Sequence, residues 1–306
     1  MPRSWFHIVP VFLVLTACSG DGGTGPSGSN VEDPFSREIP GSGGTLASLD
    51  GRASVTVPAG ALAGPATLHV ERLRTNEVPA VVSAKAPIAN VWRFGPDGFV
   101  FSSDVEIKLQ YDQLPAGVDP SRLTLITIDF NGGVEILRDV QITAATAPQS
   151  RALVAAGDVR GLISHFSPFA LVVLPPADGL FRGTNTAGAF SCNPSLPGYG
   201  SGEVGTSSLD LDIDQQGPGL HITSVPPGPL FEGTINFEGR ITVVAEGTIS
   251  EPGITNGTYV VDAVLTLQPP ANNRITGTYT TTDAFTLNGT NYVCTQNGTI
   301  DVTRVN

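Results

Sequence analysis

Short segments in which every second residue is apolar recur along this chain, and turns rich in Gly and Pro separate them. In Asp104–Gln110, for example, Val105, Ile107 and Leu109 alternate with charged or polar residues. This period of two is typical of a β-strand with one buried face, because successive side chains point to opposite faces of a sheet. Gly and Pro supply 36 and 25 of the 306 residues. The pattern therefore predicts an all-β fold of antiparallel strands joined by tight turns.

The composition changes at Pro175-Pro176, where the fraction of charged residues falls and Gly and Thr become more frequent. A chain of this length favours about two domains. We therefore expect an antiparallel β-sandwich over residues 35–174, a linker over residues 175–177 and a second β domain over residues 178–306.

The second domain contains about eight strand-like segments, linked in sequence by turns such as Asn288-Gly289. These segments are Gly179–Thr184, Gly202–Ile213, Leu220–Ser224, Phe231–Phe237, Arg240–Ile249, Gly257–Leu267, Arg274–Thr282 and Tyr292–Arg304. Their sequential order favours an eight-stranded up-and-down barrel, and a sandwich of similar size is the alternative. A barrel of this size holds either one small ligand or a packed core. We expect the packed core or a shallow site, because the segments contain no aromatic cluster.

The first residues have the features of a bacterial export signal. Arg3 supplies a positive charge, and the apolar run Trp5–Thr16 is too short to remain as a membrane span. The run ends in Leu15-Thr16-Ala17-Cys18, which resembles the lipobox of bacterial lipoproteins, where the Cys thiol accepts a lipid. An ordinary signal peptide followed by a chance Cys is the alternative.

The lipobox resemblance implies that residues 1–17 are removed and that Cys18 carries diacylglycerol and palmitate. Ser19 stands where Asp would favour retention at the inner membrane, so the resemblance implies anchoring in the cell envelope at the outer membrane. Residues 18–34 are rich in Gly and Ser and are predicted to form a flexible tether that lifts the folded domains off the membrane.

The processed chain is expected to be strongly acidic. Removal of residues 1–17 takes away one basic residue, Arg3, and leaves 15 basic and 28 acidic residues, a net charge of −13. Such a surface repels phosphate backbones, so nucleic acid is not an expected partner. The expected partners are the membrane, reached through the lipid on Cys18, and an unidentified envelope protein. The sequence does not define the oligomeric state.

Two cysteines remain once Cys18 is lipidated. In an exported protein, Cys192 and Cys294 predict one disulfide, and two free thiols or a metal pair are the alternatives. Cys192 follows the first predicted strand of the second domain, and Cys294 lies in the last. A bond between them would therefore cross the seam at which a barrel closes. No His or Cys residues cluster beside either one in the sequence, and we expect neither a metal nor a cofactor.

The first domain contains a series of motifs in a characteristic order. They are Gly43-Gly44-Thr45, Val57-Pro58-Ala59-Gly60-Ala61-Leu62, Phe94-Gly95-Pro96-Asp97-Gly98, Val105–Leu109 and His165-Phe166-Ser167-Pro168-Phe169-Ala170-Leu171. The series resembles the ZU-five module, a β-sandwich of zonula occludens proteins, netrin receptors and ankyrins, over about Arg37–Leu174. The second half resembles lipocalin-type barrels faintly, without a diagnostic motif.

The triplet His165-Phe166-Ser167 raises the possibility of one covalent reaction. Some proteins with a ZU-five module cut themselves between Phe and Ser of such a triplet. The resemblance therefore implies that the Ser167 hydroxyl attacks the Phe166 carbonyl, with His165 as general base. The alternative is structural, with Phe166 in the core and His165 and Ser167 facing outward or satisfying backbone groups. We favour the structural role, because the sequence identifies no second catalytic group.

No other catalytic centre is evident, since the chain lacks a Gly-x-Ser-x-Gly elbow, a His-Glu-x-x-His pair and a phosphate loop. Asp210, Asp212 and Asp214 alternate along one predicted strand, which spaces them about 7 Å apart and favours a solvated face over a calcium site. We therefore expect a non-catalytic, lipid-anchored binding or structural module. A self-cleaving protein and a carrier of a small apolar ligand are the alternatives.

Overall fold

The computed structural model describes residues 35–144, 156–200, 204–225, 228–269 and 271–305. The predicted signal peptide, the predicted lipidation site Cys18 and the predicted tether lie outside these residues, as does most of the strand predicted at Arg151–Gly157. The described chain is almost entirely β-structure, which confirms the all-β prediction. Its helical elements are α1 (Ala80–Ser83) and the 3-10 helix η1 (Pro120–Arg122). None of the described helices is long and apolar enough to cross a membrane.

The first half of the chain forms two antiparallel sheets. Its strands are β1 (Phe35–Ile39), β2 (Gly44–Ala47), β3 (Ala53–Val57), β4 (Ala66–Arg72), β5 (Trp92–Gly95), β6 (Val100–Tyr111), β7 (Leu123–Ile128), β8 (Val134–Ile136), β9 (Arg138–Ala144), β10 (Gly157–His165) and β11 (Pro168–Val173). One sheet has the order β1-β4-β5-β11-β7-β8, and the other has the order β2-β3-β6-β10-β9. The inward faces of both sheets contribute to one apolar core, so the predicted sandwich is present.

The sandwich core follows from the alternation in the sequence. Val105, Ile107 and Leu109 of β6 are at most 1% exposed, as the period of two predicts. On the facing sheet, Phe94 packs against Phe166, with ring centroids 5.8 Å apart. Burial of large apolar side chains such as these contributes about 1.5–3 kcal/mol each, which makes this cluster a principal source of stability.

Strand β7 is buried on both faces, and its apolar residues accordingly do not keep to every second position, since Leu125 and Ile126 are adjacent. Leu125 faces the sandwich core, whereas Ile126 faces the opposite side of the same sheet. There Ile126 belongs to a second apolar cluster that includes Val82 of α1, with Phe237 from the second half of the chain packed against it. A strand covered on both faces needs no polar side chains at alternate positions.

The second half of the chain forms a closed barrel. Its strands are β12 (Gly179–Ala187), β13 (Ser191–Asn193), β14 (Gly205–Gln216), β15 (Gly219–Val225), β16 (Leu230–Ile235), β17 (Arg240–Ile249), β18 (Ile254–Leu267), β19 (Arg274–Leu287) and β20 (Thr290–Arg304). All of them except β13 follow one another around the barrel, and β12 closes it by pairing with both β14 and β20. The eight-stranded antiparallel barrel is therefore confirmed over the alternative sandwich.

Local turn chemistry supports the register of the barrel. Asn288 and Gly289 join β19 to β20, and both have positive φ, 50° and 80°. Two such residues form the tight turn whose twist matches that of the flanking strands, and Asn-Gly is its preferred sequence. The turn leads directly into a long ladder that begins with the pair Leu287 and Thr290.

One end of the barrel packs against the sandwich. Leu174 and Ala177 are fully buried and belong to the barrel core. The Ala177 amide donates a hydrogen bond to Gln215 Oε1 at 2.8 Å. Phe237, after β16, packs against both the barrel core and the cluster beside β7, and the Lys85 ammonium lies 4.7 Å from its ring centroid. The sandwich and the barrel therefore belong to one compact unit.

Candidate functional site

The half of the barrel remote from the sandwich encloses a cavity of about 240 Å³. Strands β14 to β18 give it an apolar wall, interrupted by the Ser224 hydroxyl. Six of the inward-facing side chains of this wall are Leu211, Ile222, Phe231, Val243, Ala263 and Leu265. The half nearer the sandwich is packed with large side chains, among them Phe181, Ile241 and Ile275, each 0% exposed. The end of the barrel nearer the sandwich, here called its base, is therefore packed, and the interior of the other half is open.

The opposite wall of the cavity is mainly polar and includes one apolar side chain, Ile300. It comes from β12, β19 and β20, which contribute Asn185, Tyr279, Thr281 and Gln296. The Tyr279 hydroxyl donates a hydrogen bond to Asn185 Oδ1 at 2.9 Å. Thr281 lies directly opposite Gln296 in the pairing of β19 with β20, so both side chains project inward at the same level. A molecule in the cavity would contact aliphatic groups on one side and amide and hydroxyl groups on the other.

Residues 188–200, the segment that follows β12, are fastened to β20 beside the polar wall. The predicted disulfide between Cys192 and Cys294 is present, and the two residues pair directly across β13 and β20. Gln296 Nε2 donates to the Gly188 carbonyl at 2.9 Å. These contacts hold the start of the segment against the strand that forms part of the cavity wall.

Aromatic rings join the same segment to β19 and β20 near the turn that connects these two strands. The Tyr199 ring stacks on Phe285 at 4.9 Å, and Phe285 stacks on Tyr292 at 5.6 Å, measured between ring centroids. Phe190 meets the Tyr199 ring edge-on at 5.2 Å. Such pairs add about 0.5–1.5 kcal/mol each beyond the burial of their area. The segment is therefore packed in place as well as cross-linked.

Asp283 is the buried acidic group closest in sequence to the cavity wall. It is 7% exposed, lies two residues beyond Thr281 on the same face of β19, and accepts a hydrogen bond from the Tyr199 hydroxyl at 2.7 Å. Burial raises the pKa of this carboxyl above its usual range, and the hydrogen bond from Tyr199 opposes that shift. Within the described ranges, no three His, Cys, Asp or Glu side chains form a group able to hold a metal ion.

The structure places His165 and Ser167 at the junction of β10 and β11. His165 is 3% exposed, and its Nε2 lies 3.1 Å from the Ile128 carbonyl oxygen. Its ring packs against Phe130, with the ring centroids 4.5 Å apart. Across the described part of the chain, no hydrogen bond joins His165 to Ser167. Phe166 is buried in the core and hydrogen-bonded through both its amide and its carbonyl. The triplet is thus integrated into the sandwich.

The three alternating aspartates lie on the outer face of β14. Asp210 forms a two-pronged ion pair with Arg182, with nitrogen–oxygen distances of 2.7–3.0 Å. The hydrogen bond from Arg182 lowers the pKa of the Asp210 carboxyl. Asp212 and Asp214 are exposed.

Sequence reasoning did not identify the polar wall of the cavity. The signal was nevertheless present, because Asn185, Thr281, Asp283 and Gln296 occupy positions whose parity predicts an inward direction. A polar residue at an inward position either completes a buried network or faces a cavity. Distinguishing these two cases requires the positions of the facing strands.

No protein-family model matches this chain, and a search of the curated proteins finds no significant match.

Proposed function

We propose that this protein is a lipid-anchored, non-catalytic binding module of the bacterial envelope and that its barrel holds a small molecule. The observation that carries the proposal is the cavity of about 240 Å³ between an apolar and a polar wall. Binding sites for small molecules are concave, mostly apolar and equipped with a few convergent polar groups. This cavity has that composition.

The size of the cavity limits the ligand. An apolar cavity of about 150 Å³ in another protein is large enough to bind benzene. By that scale, a cavity of about 240 Å³ accommodates on the order of ten non-hydrogen atoms. The volume therefore favours a small molecule over a long acyl chain.

The rest of the chain has a supporting role in this proposal. The lipid on Cys18 holds the protein at the outer membrane, and the tether gives it reach. The ZU-five-like sandwich presents the barrel, because Leu174 and Ala177 pack into the base of the barrel core. The ligand-binding end of the barrel therefore points away from the sandwich.

Self-cleavage between Phe166 and Ser167 has less support. A general base must reach the hydroxyl that it activates, and His165 Nε2 instead lies beside the Ile128 carbonyl. Neither His165, Phe166 nor Ser167 has the positive φ that would indicate a strained turn. These contacts favour a structural role for the triplet.

Native mass spectrometry of protein purified from its host tests the proposal. The wild type is expected to retain a small molecule. Ala263→Phe, which places a ring inside the cavity, is expected to lose it. Val264→Phe is the matched control, because Val264 is the next residue on β18 and faces outward with 38% exposure. No added mass on the wild type, or equal retention by Ala263→Phe, would contradict the proposal.

A further inference from the structure

We infer that the molecule held by the barrel is uncharged and has an apolar body with one group that both donates and accepts hydrogen bonds, as a carboxamide does. This inference rests on the proposed binding function of the cavity. It concerns the chemistry of the ligand, which follows from the hydrogen-bonding groups of the polar wall and from the charges around them.

Asn185 supplies a hydrogen-bond donor. Its Oδ1 already accepts a hydrogen bond from the Tyr279 hydroxyl at 2.9 Å. Both N–H groups of the Asn185 amide nitrogen are therefore free to donate, because no described residue accepts a hydrogen bond from them. Because Asn185 lines the cavity, these N–H groups are available to a ligand carbonyl.

Gln296 supplies the complementary acceptor. The Gly188 carbonyl can only accept a hydrogen bond, so the Gln296 amide nitrogen must face it, and the two atoms are 2.9 Å apart. The Gln296 carbonyl oxygen is thereby left without a donor in the described portion of the chain. Gln296 is 4% exposed and lines the cavity. This oxygen is accessible from the cavity rather than sealed inside the wall, so a ligand N–H or O–H can donate to it.

The cavity offers no compensation for a charged ligand. None of the residues that line it is Lys, Arg, His, Asp or Glu. A buried ion without a partner loses its hydration and gains nothing equivalent. The nearest acidic group along β19, Asp283, does not line the cavity. Its carboxyl is hydrogen-bonded to Tyr199 rather than directed at a ligand cation, and its charge disfavours an anion. The walls therefore select for a neutral polar group.

Four probes with the same number of non-hydrogen atoms test this selectivity. Benzamide is neutral and both donates and accepts, benzoate is an anion, benzamidine is a cation, and isopropylbenzene has no polar group. Each is titrated by NMR at neutral pH into the chain from residue 18 onward, in a Cys18→Ser background that avoids detergent. Benzamide is expected to bind at least about tenfold more tightly than benzoate and benzamidine.

Variants of the polar wall locate the selectivity. Asn185→Leu is expected to weaken benzamide about tenfold and to change isopropylbenzene by less than about threefold. Thr184→Leu is the matched control, because Thr184 precedes Asn185 on β12 and is exposed on the outer face. Thr281→Val, which keeps the shape of the side chain, is expected to weaken benzamide about threefold and supplies a second test if Asn185→Leu does not fold.

The outcomes separate this inference from the function on which it rests. If isopropylbenzene binds the wild type but not Ala263→Phe, the cavity is a binding site. Equal binding of benzamide and benzoate in that case overturns the inference alone, as does a preference for benzamidine. If benzamide affinity is the same in the wild type, Asn185→Leu and Thr281→Val, the inference is also overturned. If no probe binds, the proposed function and the inference both fail.

Discussion

Removal of the disulfide should destabilise the whole described unit rather than the barrel alone. Cys192 and Cys294 are separated by 102 residues. In the chain-entropy model, a cross-link that closes about 100 residues stabilises the folded state by about 4.7 kcal/mol at 25 °C. Measured losses for native disulfides are about 2–5 kcal/mol. We therefore expect Cys192→Ala with Cys294→Ala to lower the free energy of unfolding by an amount in that range.

The fold itself should survive this change. The barrel is closed by the ladder between β12 and β20, which extends from the pair Phe181 and Arg304 to the pair Ala187 and Gly298. That ladder does not depend on the cross-link. The contact of Gln296 with Gly188 also remains. The double variant should therefore have the native far-ultraviolet circular dichroism spectrum in the absence of denaturant.

Urea unfolding followed by two probes measures both the size and the extent of the effect. Trp5 and Trp92 are the two Trp residues of the chain, so protein produced from residue 18 onward contains Trp92 alone. Trp92 is buried in the sandwich, far along the chain from the disulfide. Its fluorescence therefore reports on the sandwich, whereas circular dichroism reports on all strands. Because Leu174, Ala177 and Phe237 join the two halves, both transitions should shift together to lower urea.

Two results would refute this reasoning. A loss of stability below about 1 kcal/mol would contradict the loop-entropy argument. A shift of the circular dichroism transition with an unchanged Trp92 transition would show that the barrel unfolds independently, against the shared core. Wild-type protein treated with a reducing agent is the control, and it should reproduce the double variant.

Three further predictions concern single residues. Burial raises the pKa of Asp283, so the native state binds the carboxyl proton more tightly than the unfolded state does. The stability contributed by this group therefore falls as pH rises from about 4 through the raised pKa. Asp283→Asn should therefore have a higher free energy of unfolding than the wild type near pH 8 and lose that advantage near pH 4. A difference between the two proteins in urea unfolding that does not change with pH would contradict this. Cys18→Ser should abolish labelling by palmitate and release the protein from the membrane fraction, whereas persistent labelling would exclude Cys18 as the lipid site. The wild type and Ser167→Ala should each give one intact band on denaturing gels after prolonged incubation; two bands from the wild type alone would establish self-cleavage.

The barrel strands could be predicted because their alternation is long and regular. In β17, Ile241, Val243 and Ala245 are buried, and the residues between them are exposed, as a half-buried strand requires. Shorter strands such as β8 and β5 carry too few residues to establish a period. Their pairing partners, which the sequence does not reveal, define them instead.

The cavity and the shared core could not be predicted, because both depend on distances between residues far apart in the chain. Lys85 and Phe237 meet only after both halves fold. Inward-facing glycines illustrate the same limit. A Cβ at Gly183 or Gly233 would overlap the backbone of the adjacent strand, so these glycines permit close strand approach rather than enlarge the cavity. The sequence shows the glycine but not what fills the space beside it.

The measurement that most directly tests the central claim is a calorimetric or NMR titration of isopropylbenzene into the wild type, Ala263→Phe and Val264→Phe. The account predicts saturable binding of one molecule to the wild type and to Val264→Phe, and none to Ala263→Phe. If neither isopropylbenzene nor benzamide binds the wild type, or if Ala263→Phe binds as well as the wild type, the claim that the barrel interior is a ligand site is contradicted.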